Sequence, residues 1–465
     1  MKNDLMIKSI FWGLLTALVA VGCYFIVHNA AWLIGDDAQV FTYTGWDTPI
    51  YGFFVHPSFG RFFPLDYTLY DILCLFYEGQ IGPTPHYVIH AICFVVYCFT
   101  FALISLRILK DTNVIAKYFI TFCVVVVVVG RTYLNFIQCW TGIWTIYVFL
   151  ALSIYLAIKF FDTKNWLFGV LSLLSINYVL YYYETMFAIP VAIGACALLF
   201  SYNQQDKRER IFNWLMIASG VLFLLLYVII VVPQIEHAYH HYTEDSLLEN
   251  AFKMFFAQKI MWLVVVFGIV RIIAFIRKKA TYNFYDSLLL ASCAYCCGAA
   301  VLHLNYTLYY TPAILCAIPA ILYFSNKYLK TRWTIVLFIF LALFYGRKIP
   351  KDTIENQKER IGTVENIAKL NEYSDCQLYY YQPDNAELNE GDLDVRACFN
   401  HYICSLAGWY RGDRYLSAEV NEVFDENKSG IWIVYVKDLE NFEEQYQTVK
   451  KLNFKVDPLS FFIVK

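Results

Sequence analysis

Long apolar runs, broken at short intervals by clusters of Lys and Arg, dominate the first three quarters of the chain. The runs cover approximately 10–33, 87–107, 114–130, 140–160, 165–182, 186–202, 212–232, 260–276, 286–303, 312–326 and 332–346. Each is long enough, or nearly so, for a helix to cross the hydrocarbon core of a bilayer. The pattern predicts an α-helical polytopic membrane protein with about eleven transmembrane helices. After Gly346 the periodicity changes. Lys351–Glu372 is rich in Lys, Glu, Asn and Gln and predicts a surface helix. Gln377–Tyr381, Ile431–Val436 and Phe461–Val464 are short, β-branched and aromatic, and predict strands. The division is therefore a membrane module, 1–346, containing a long loop at 34–86, and a small α/β domain, 347–465.

Composition agrees with the pattern. The 465 residues are 59% hydrophobic and 16% charged, against roughly 25% charged in soluble domains. Aromatics reach 19%, which suits interfacial belts and an embedded cavity. A net charge of −2 gives no basis for nucleic-acid binding. Lys2 and Lys8 precede the first run without a small-residue cleavage site before Asp36, so this run reads as a retained span. Cys293, Cys296 and Cys297 sit within an apolar run and read as small packing residues. Cys376, Cys398 and Cys404 fall in the tail, where an oxidising compartment would permit a disulfide.

The basic residues orient the chain. Arg107, Lys110, Lys117, Lys159, Lys164, Lys207, Arg208, Arg210, Arg277, Lys278, Lys279, Lys327, Lys330 and Arg332 fall on one side, shared with the N-terminus. The positive-inside rule makes that side cytoplasmic. Loop 34–86, the link Arg131–Cys139, the turn Tyr181–Glu184, loop 233–259, the link His303–Tyr310 and the tail then lie outside. Glycine-rich phosphate loops are absent, which argues against ATP as the direct energy source.

Candidate chemistry gathers on the outer side. Asp36 and Asp37 follow the first span; a carboxylate there can take a proton from an attacking hydroxyl. Arg61 and Arg131 are the arginines of the outer loops between the first and last spans, and Lys253 and Lys259 add positive charge. A guanidinium offers a planar donor fork suited to phosphate. His56, Glu184, His237 and Trp409 carry groups that contact sugars by hydrogen bonding or stacking. His237 and His241 are spaced i,i+4, as metal ligands on one helical face would be, without a complete ligand set. Phe62–Tyr77, aromatic with interspersed acids, suits an amphipathic interfacial helix.

An acidic pair after the first span, followed by Gly60-Arg61-Phe62-Phe63-Pro64-Leu65, resembles the GT-C membrane glycosyltransferases. The pattern is most similar to bacterial O-antigen glucosyltransferases of the GtrII type. Asn305–Ala313 with Pro319-Ala320 is more distantly similar to a segment of the lipid A aminoarabinose transferases and protein mannosyltransferases. In those families an arginine stands where this chain has Tyr306. The resemblance implies a polyprenyl-phosphate-linked sugar donor, an extracytoplasmic glycan, lipid or protein acceptor, and inversion at the anomeric carbon. Carried onto this chain, it implies Asp37 as base with Asp36 orienting. It implies Arg61 holding the loop or the donor phosphate; the residues' own chemistry adds Arg131, Lys253 and Tyr306 as donor-phosphate candidates and His56, Glu184, His237 and Trp409 as acceptor-sugar candidates. A bacterial inner-membrane location follows from the same resemblance. No cofactor is assigned, although a divalent cation (Mg or Mn) remains open. The alternatives are a polymerase or ligase working on polyprenyl-linked glycans, and a lipid or glycan transporter.

Overall fold

A computed structural model describes residues 2–28, 30–33, 83–138, 143–235, 258–301, 307–383, 402–408, 416–446, 449–456 and 458–464. Isolated positions between them (55–56, 61–62, 64–65, 249, 252, 400 and 410) are also described. A helix lies on each of the eleven apolar runs. They are α1 (Lys2–His28), α2 (Pro83–Ile108), α3 (Val114–Ile137), α4 (Ile143–Thr163), α5 (Trp166–Tyr182) and α6 (Ala188–Ser201). They continue with α7 (Lys207–Ile230), α8 (Ile260–Ile276), α9 (Phe284–Val301), α10 (Thr311–Tyr328) and α11 (Thr331–Gly346). Among the described residues, seven helical segments are long and apolar enough to cross a membrane, and α5, α8 and α9 are shorter apolar helices. The protein is a polytopic helical membrane protein.

Two ends of the bundle can be told apart by their side chains. One end gathers the charged connections predicted to be cytoplasmic. There Arg107 pairs with Asp162, Lys164 with Asp206 and Glu209, and Arg271 with Asp286. Asp206 and Glu209 form a reciprocal capping box at the start of α7. The other end carries the C-terminal sheet, and is called the sheet-bearing end below.

Three boundaries differ from the sequence expectation, each for a physical reason. Helix α1 stops at His28, whose ring stacks on Tyr24 one turn back (4.6 Å between centroids). Residues 30–33 then turn into the bundle, where Trp32 and Leu33 are buried. Asp36 and Asp37, expected just beyond the first span, lie outside the described residues. Helix α3 runs on to Ile137, because Thr132, Tyr133, Asn135, Phe136 and Ile137 all find buried positions. This puts Arg131 inside a helix instead of on a link. Phe62, expected to open an interfacial helix, lies in a two-residue strand, β2 (Arg61–Phe62), paired antiparallel with β1 (Val55–His56).

Helix α11 passes with only Arg347 between into α12 (Lys348–Asn371), forming a helical segment of 41 residues. The expected surface helix is thus a docked one. Asn356, Arg360, Thr363, Ile367 and Leu370 are buried. Their spacing of four and three makes one stripe along the helix. The stripe is polar where α12 meets the bundle and apolar where it meets the sheet, so hydrophobic periodicity alone does not reveal it. Arg360 is 1% exposed, its guanidinium 4.3 Å from the centre of the Tyr87 ring. A desolvated contact of this kind is worth about 2 kcal/mol.

The predicted strands form, as β3 (Leu378–Tyr381), β5 (Gly430–Tyr435) and β7 (Leu459–Val464). Two further strands, β4 (Glu419–Asn421) and β6 (Lys450–Val456), complete a sheet of order β4-β3-β5-β7-β6. β3 is parallel to β4 and β5, while β7 runs antiparallel to β5 and β6. Every residue of β3 and β5 is buried. Alternate residues serve two layers. Tyr379, Tyr381, Trp432, Val434 and Phe462 pack with Phe424 and Phe442. Leu378, Tyr380, Ile431, Ile433 and Phe461 join the core that includes Ile367 and Leu370 of α12 and Ile403, Leu406 and Ala407. Cys376 and Cys404 are not joined by a disulfide, and Cys398 lies outside the described residues.

Helices α3 and α11 cross with almost no space between their backbones. A Cβ on Gly130 would lie 2.4 Å from the Tyr345 carbonyl oxygen and 2.9 Å from the Gly346 nitrogen. Small residues permit such approaches in membrane bundles. Gly130→Val is expected to separate the helices and cost about 1–3 kcal/mol, read as a lower midpoint of thermal unfolding in detergent. An unchanged midpoint would mean that the crossing is not tight.

Candidate active site

The sheet-bearing end gathers a cluster of polar side-chain tips, called the chamber below. Arg131 stands six residues before the end of α3, about 9 Å along the helix axis. It is half-buried, and the hydroxyls of Tyr147, Tyr345 and Tyr97 are its electrostatic neighbours. Each tyrosine comes from a different helix: Tyr97 from α2, Tyr147 from α4 and Tyr345 from α11. Asn135, one turn beyond Arg131, donates from Nδ2 to the Tyr147 hydroxyl at 3.0 Å. Lys348, the first residue of α12, adds a second positive charge beside Arg131, and Asp352 lies one turn further along, near Lys348.

A line of hydroxyls runs from this centre to Thr185, the residue after Glu184. Glu184 begins a short 3-10 turn, Glu184–Phe187, directly after α5. Its neighbour Thr185 shares a hydrogen bond with the Tyr295 hydroxyl of α9 (3.1 Å). Tyr295 in turn neighbours Tyr147 and Tyr309. Tyr309 stacks on Tyr183 with centroids 5.9 Å apart. Tyrosine suits these positions because its ring packs with lipid-facing helices while its hydroxyl points into the polar space.

The ribbon of β1 and β2 is anchored at the same end. Phe62 is buried against Tyr181 and Phe223, and the Leu65 amide donates to the Tyr181 carbonyl at 2.9 Å. Tyr181 is three residues from Glu184. In the ribbon His56 and Arg61 are direct cross-strand partners. A donor-phosphate candidate and a sugar candidate, read separately from the sequence, thus come from one hydrogen-bonded pair of backbones.

A second cluster holds the segment leading to the acidic pair. The His90 Nδ1–H donates to the Phe136 carbonyl (3.1 Å), which leaves Nε2 of the neutral ring to accept from His86 Nε2–H (3.0 Å). Trp144 lies 4.3 Å from the His90 ring and Trp32 5.4 Å from that of His86, centre to centre. Trp32 is fully buried. His86, held by His90, is therefore the ring against which Trp32 rests, and Asp36 follows Trp32 by four residues in sequence.

Of the residues selected from sequence, the structure sets Arg131 among tyrosines, puts Glu184 next in sequence to Thr185, which bonds Tyr295, and makes His56 and Arg61 cross-strand partners. Asp36, Asp37, Lys253, His237, Tyr306 and Trp409 lie outside the described residues. From the Asn305–Ala313 segment it is Tyr309 that joins the chamber. Lys348, Tyr147, Tyr295 and Asn135 were not selected from sequence. The available signal was a set of aromatics with polar tips near span ends. Among the described residues, no three His, Cys, Asp or Glu side chains converge as metal ligands. Cys296 instead packs against the Met261 sulfur and Cys297 is exposed.

Chemically, the cluster offers a guanidinium, an ammonium and several hydroxyl donors in a partly buried setting. Such a group stabilises an anion more strongly than the same residues would in bulk water. No protein-family model and no curated protein sequence matches this chain significantly.

Proposed function

We propose that the chain is an inverting glycosyltransferase that moves a sugar from a polyprenyl-phosphate donor to an acceptor on the extracytoplasmic face of the membrane. The observation that carries this reading is Arg131, an arginine set into a membrane helix among three tyrosines and beside Lys348. Arginine within the membrane is costly and marks a functional position by default. In this reading its position near one helix end puts it at the depth of a lipid phosphate at the interface.

In this reading the donor's isoprenoid tail lies against the bundle and its phosphate meets Arg131 and Lys348. The acceptor hydroxyl attacks the anomeric carbon from the opposite side. Asp37 takes the hydroxyl proton, with Asp36 orienting. The bond from the anomeric carbon to the phosphate oxygen breaks, and its electron pair leaves with the lipid phosphate. Arg131, Lys348 and the tyrosine hydroxyls stabilise that developing charge. Arg61 and His56, held as cross-strand partners, border the donor sugar, and Glu184 accepts from a sugar hydroxyl. The sugar–phosphate bond supplies the energy, consistent with a sequence that lacks a nucleotide-binding loop.

A host strain lacking the chain is expected to accumulate one polyprenyl-phosphate sugar, detected by mass spectrometry of lipid extracts. Re-expression of wild type removes it and Arg131→Gln at equal level does not. Unaltered polyprenyl-phosphate sugars in the deletion would contradict the proposal.

A further inference from the structure

The charged end of the bundle is not uniform. In its α2–α7 half the turns carry acids as well as cations, and Arg107 pairs with Asp162 and Lys164 with Asp206 and Glu209. In its α8–α11 half Arg277, Lys278, Lys279, Lys327, Lys330 and Arg332 are all exposed. Among the described residues none of these six pairs with a carboxylate. The stretches 272–285 and 321–346 contain no Asp or Glu, and Asp286 is engaged by Arg271. We infer that this half of the charged end binds the phosphate of an anionic phospholipid in the leaflet it meets. The inference is independent of sugar transfer.

One guanidinium holds the two basic turns side by side. Arg271 Nη2 donates to the Thr281 carbonyl, in the turn between α8 and α9, at 2.9 Å. Its Nη1 donates to the Tyr328 hydroxyl, at the end of α10. The first turn brings Arg277, Lys278 and Lys279, and the second Lys327, Lys330 and Arg332. The Arg271 charge is itself balanced by Asp286, so the six exposed cations set the local field. Such clusters beside membrane helices attract acidic lipids.

The backbone at Lys278 supports an anion at this place. The Lys278 amide donates to the Phe275 carbonyl (2.8 Å) and that of Lys279 to the Ala274 carbonyl (2.9 Å). This is the Schellman pattern, whose left-handed position usually takes glycine. Here a lysine occupies it, with φ of 52°. Strained backbone of this kind gathers at functional positions. Among the described residues the other non-glycine at positive φ is Lys164, directly after α4, with φ of 56°. Its ammonium reaches Asp206 and Glu209. Lys278 has the same conformation without such a carboxylate, and a lipid phosphate supplies the corresponding anion.

The neighbouring side chains select a lipid over free phosphate. Ile272 and Ile276 of α8, and Trp333 and Val336 of α11, are exposed one helical turn apart. They give acyl chains a surface next to the cations. The Arg332 guanidinium lies 5.5 Å from the centre of the Trp333 ring, and the Lys327 ammonium 5.7 Å from that of Tyr323. Aromatic rings with polar tips mark the headgroup level of a bilayer.

The test uses the full chain, purified in a neutral detergent, with phosphatidylglycerol and phosphatidylcholine as probes. Native mass spectrometry of wild type with equal amounts of the two is expected to show phosphatidylglycerol retained in preference. Phosphatidylglycerol should also raise the midpoint of thermal unfolding, and inorganic phosphate should not. Lys278→Gly keeps the left-handed backbone and removes one charge; it is expected to fold as wild type and bind phosphatidylglycerol about threefold more weakly. Lys278→Gly with Arg332→Gln, one residue from each turn, should weaken binding about tenfold. Lys110→Gln with Lys207→Gln removes two exposed cations from the other half of the same end and should leave binding unchanged. Equal retention of the two lipids by wild type, the same stabilisation by inorganic phosphate, or equal losses in the two double variants would overturn the inference. If the Lys278→Gly, Arg332→Gln protein unfolds early in phosphatidylcholine, Lys278→Gly alone decides: wild-type phosphatidylglycerol binding in it would overturn the site.

Discussion

Arg131→Gln is expected to lower the rate of sugar transfer by about two to three orders of magnitude while leaving the protein folded. Removing one preorganised group aimed at developing negative charge typically costs about 2.7–4 kcal/mol in the transition state. The frame predicts that the fold survives. Arg131 projects among hydroxyls of Tyr97, Tyr147 and Tyr345, and glutamine retains hydrogen-bonding atoms for them. The helix around it is held separately, by the Gly130 crossing and by buried Thr132, Tyr133, Phe136 and Ile137. Arg131→Lys keeps the charge but loses the planar fork, so a partial recovery is expected, seen in kcat more than in KM. The check is steady-state transfer by purified variants of matched thermal stability. Wild-type rates in Arg131→Gln would remove the chamber from the chemistry.

The second large effect concerns stability, at the opposite end of the bundle. Arg271 of α8 is 2% exposed and Asp286 of α9 is 4% exposed. They form a bidentate pair, Nε to Oδ1 at 2.6 Å and Nη2 to Oδ2 at 2.7 Å. Nη2 also donates to the Thr281 carbonyl, Nη1 to the Tyr328 hydroxyl, and the Asn283 amide to Asp286 Oδ2. The rings of Phe275 and Phe324 lie 4.6 and 4.8 Å from the guanidinium. This network ties α8, α9 and α10 together. Asp286→Ala leaves the arginine charge buried and is expected to cost about 3–5 kcal/mol. The double variant Arg271→Met with Asp286→Leu removes both charges and should recover most of that loss. Thermal unfolding in detergent distinguishes the three proteins. If the single variant unfolds like wild type, the pair is not a structural lock.

The helices were readable from sequence because a membrane span needs only hydropathy and length. Each of the eleven apolar runs carries a helix, and the charged residues predicted to share one side do gather at one end. Strands β3, β5 and β7 were readable because they are largely buried and rich in β-branched and aromatic residues. β6 was not, since its lysines at 450, 451 and 455 disguise an alternating strand. Docking of α12 escaped because Asn356, Arg360 and Thr363 are polar by type and buried only by partners on other helices. The candidate site divides in the same way. Arg131 and Glu184 could be selected as charges near span ends. The tyrosines could not, because in a chain with 38 of them only three-dimensional convergence marks Tyr97, Tyr147, Tyr295 and Tyr345. Lys348 sat just past a predicted span, where a basic residue is ordinary. The acidic pair remains a reading from sequence, outside the described residues.

The most direct measurement compares surface glycans and glycolipids of the native host by mass spectrometry. The strains are wild type, a deletion, Asp37→Asn and Arg131→Gln, with the variants expressed at equal level. Loss of the same single sugar mass in the deletion and in both variants is the predicted result. It would identify the sugar class and place both residues in its transfer. Unchanged glycans in the deletion would contradict the transferase proposal. Loss in the deletion with a wild-type profile in Asp37→Asn would remove that residue as the base.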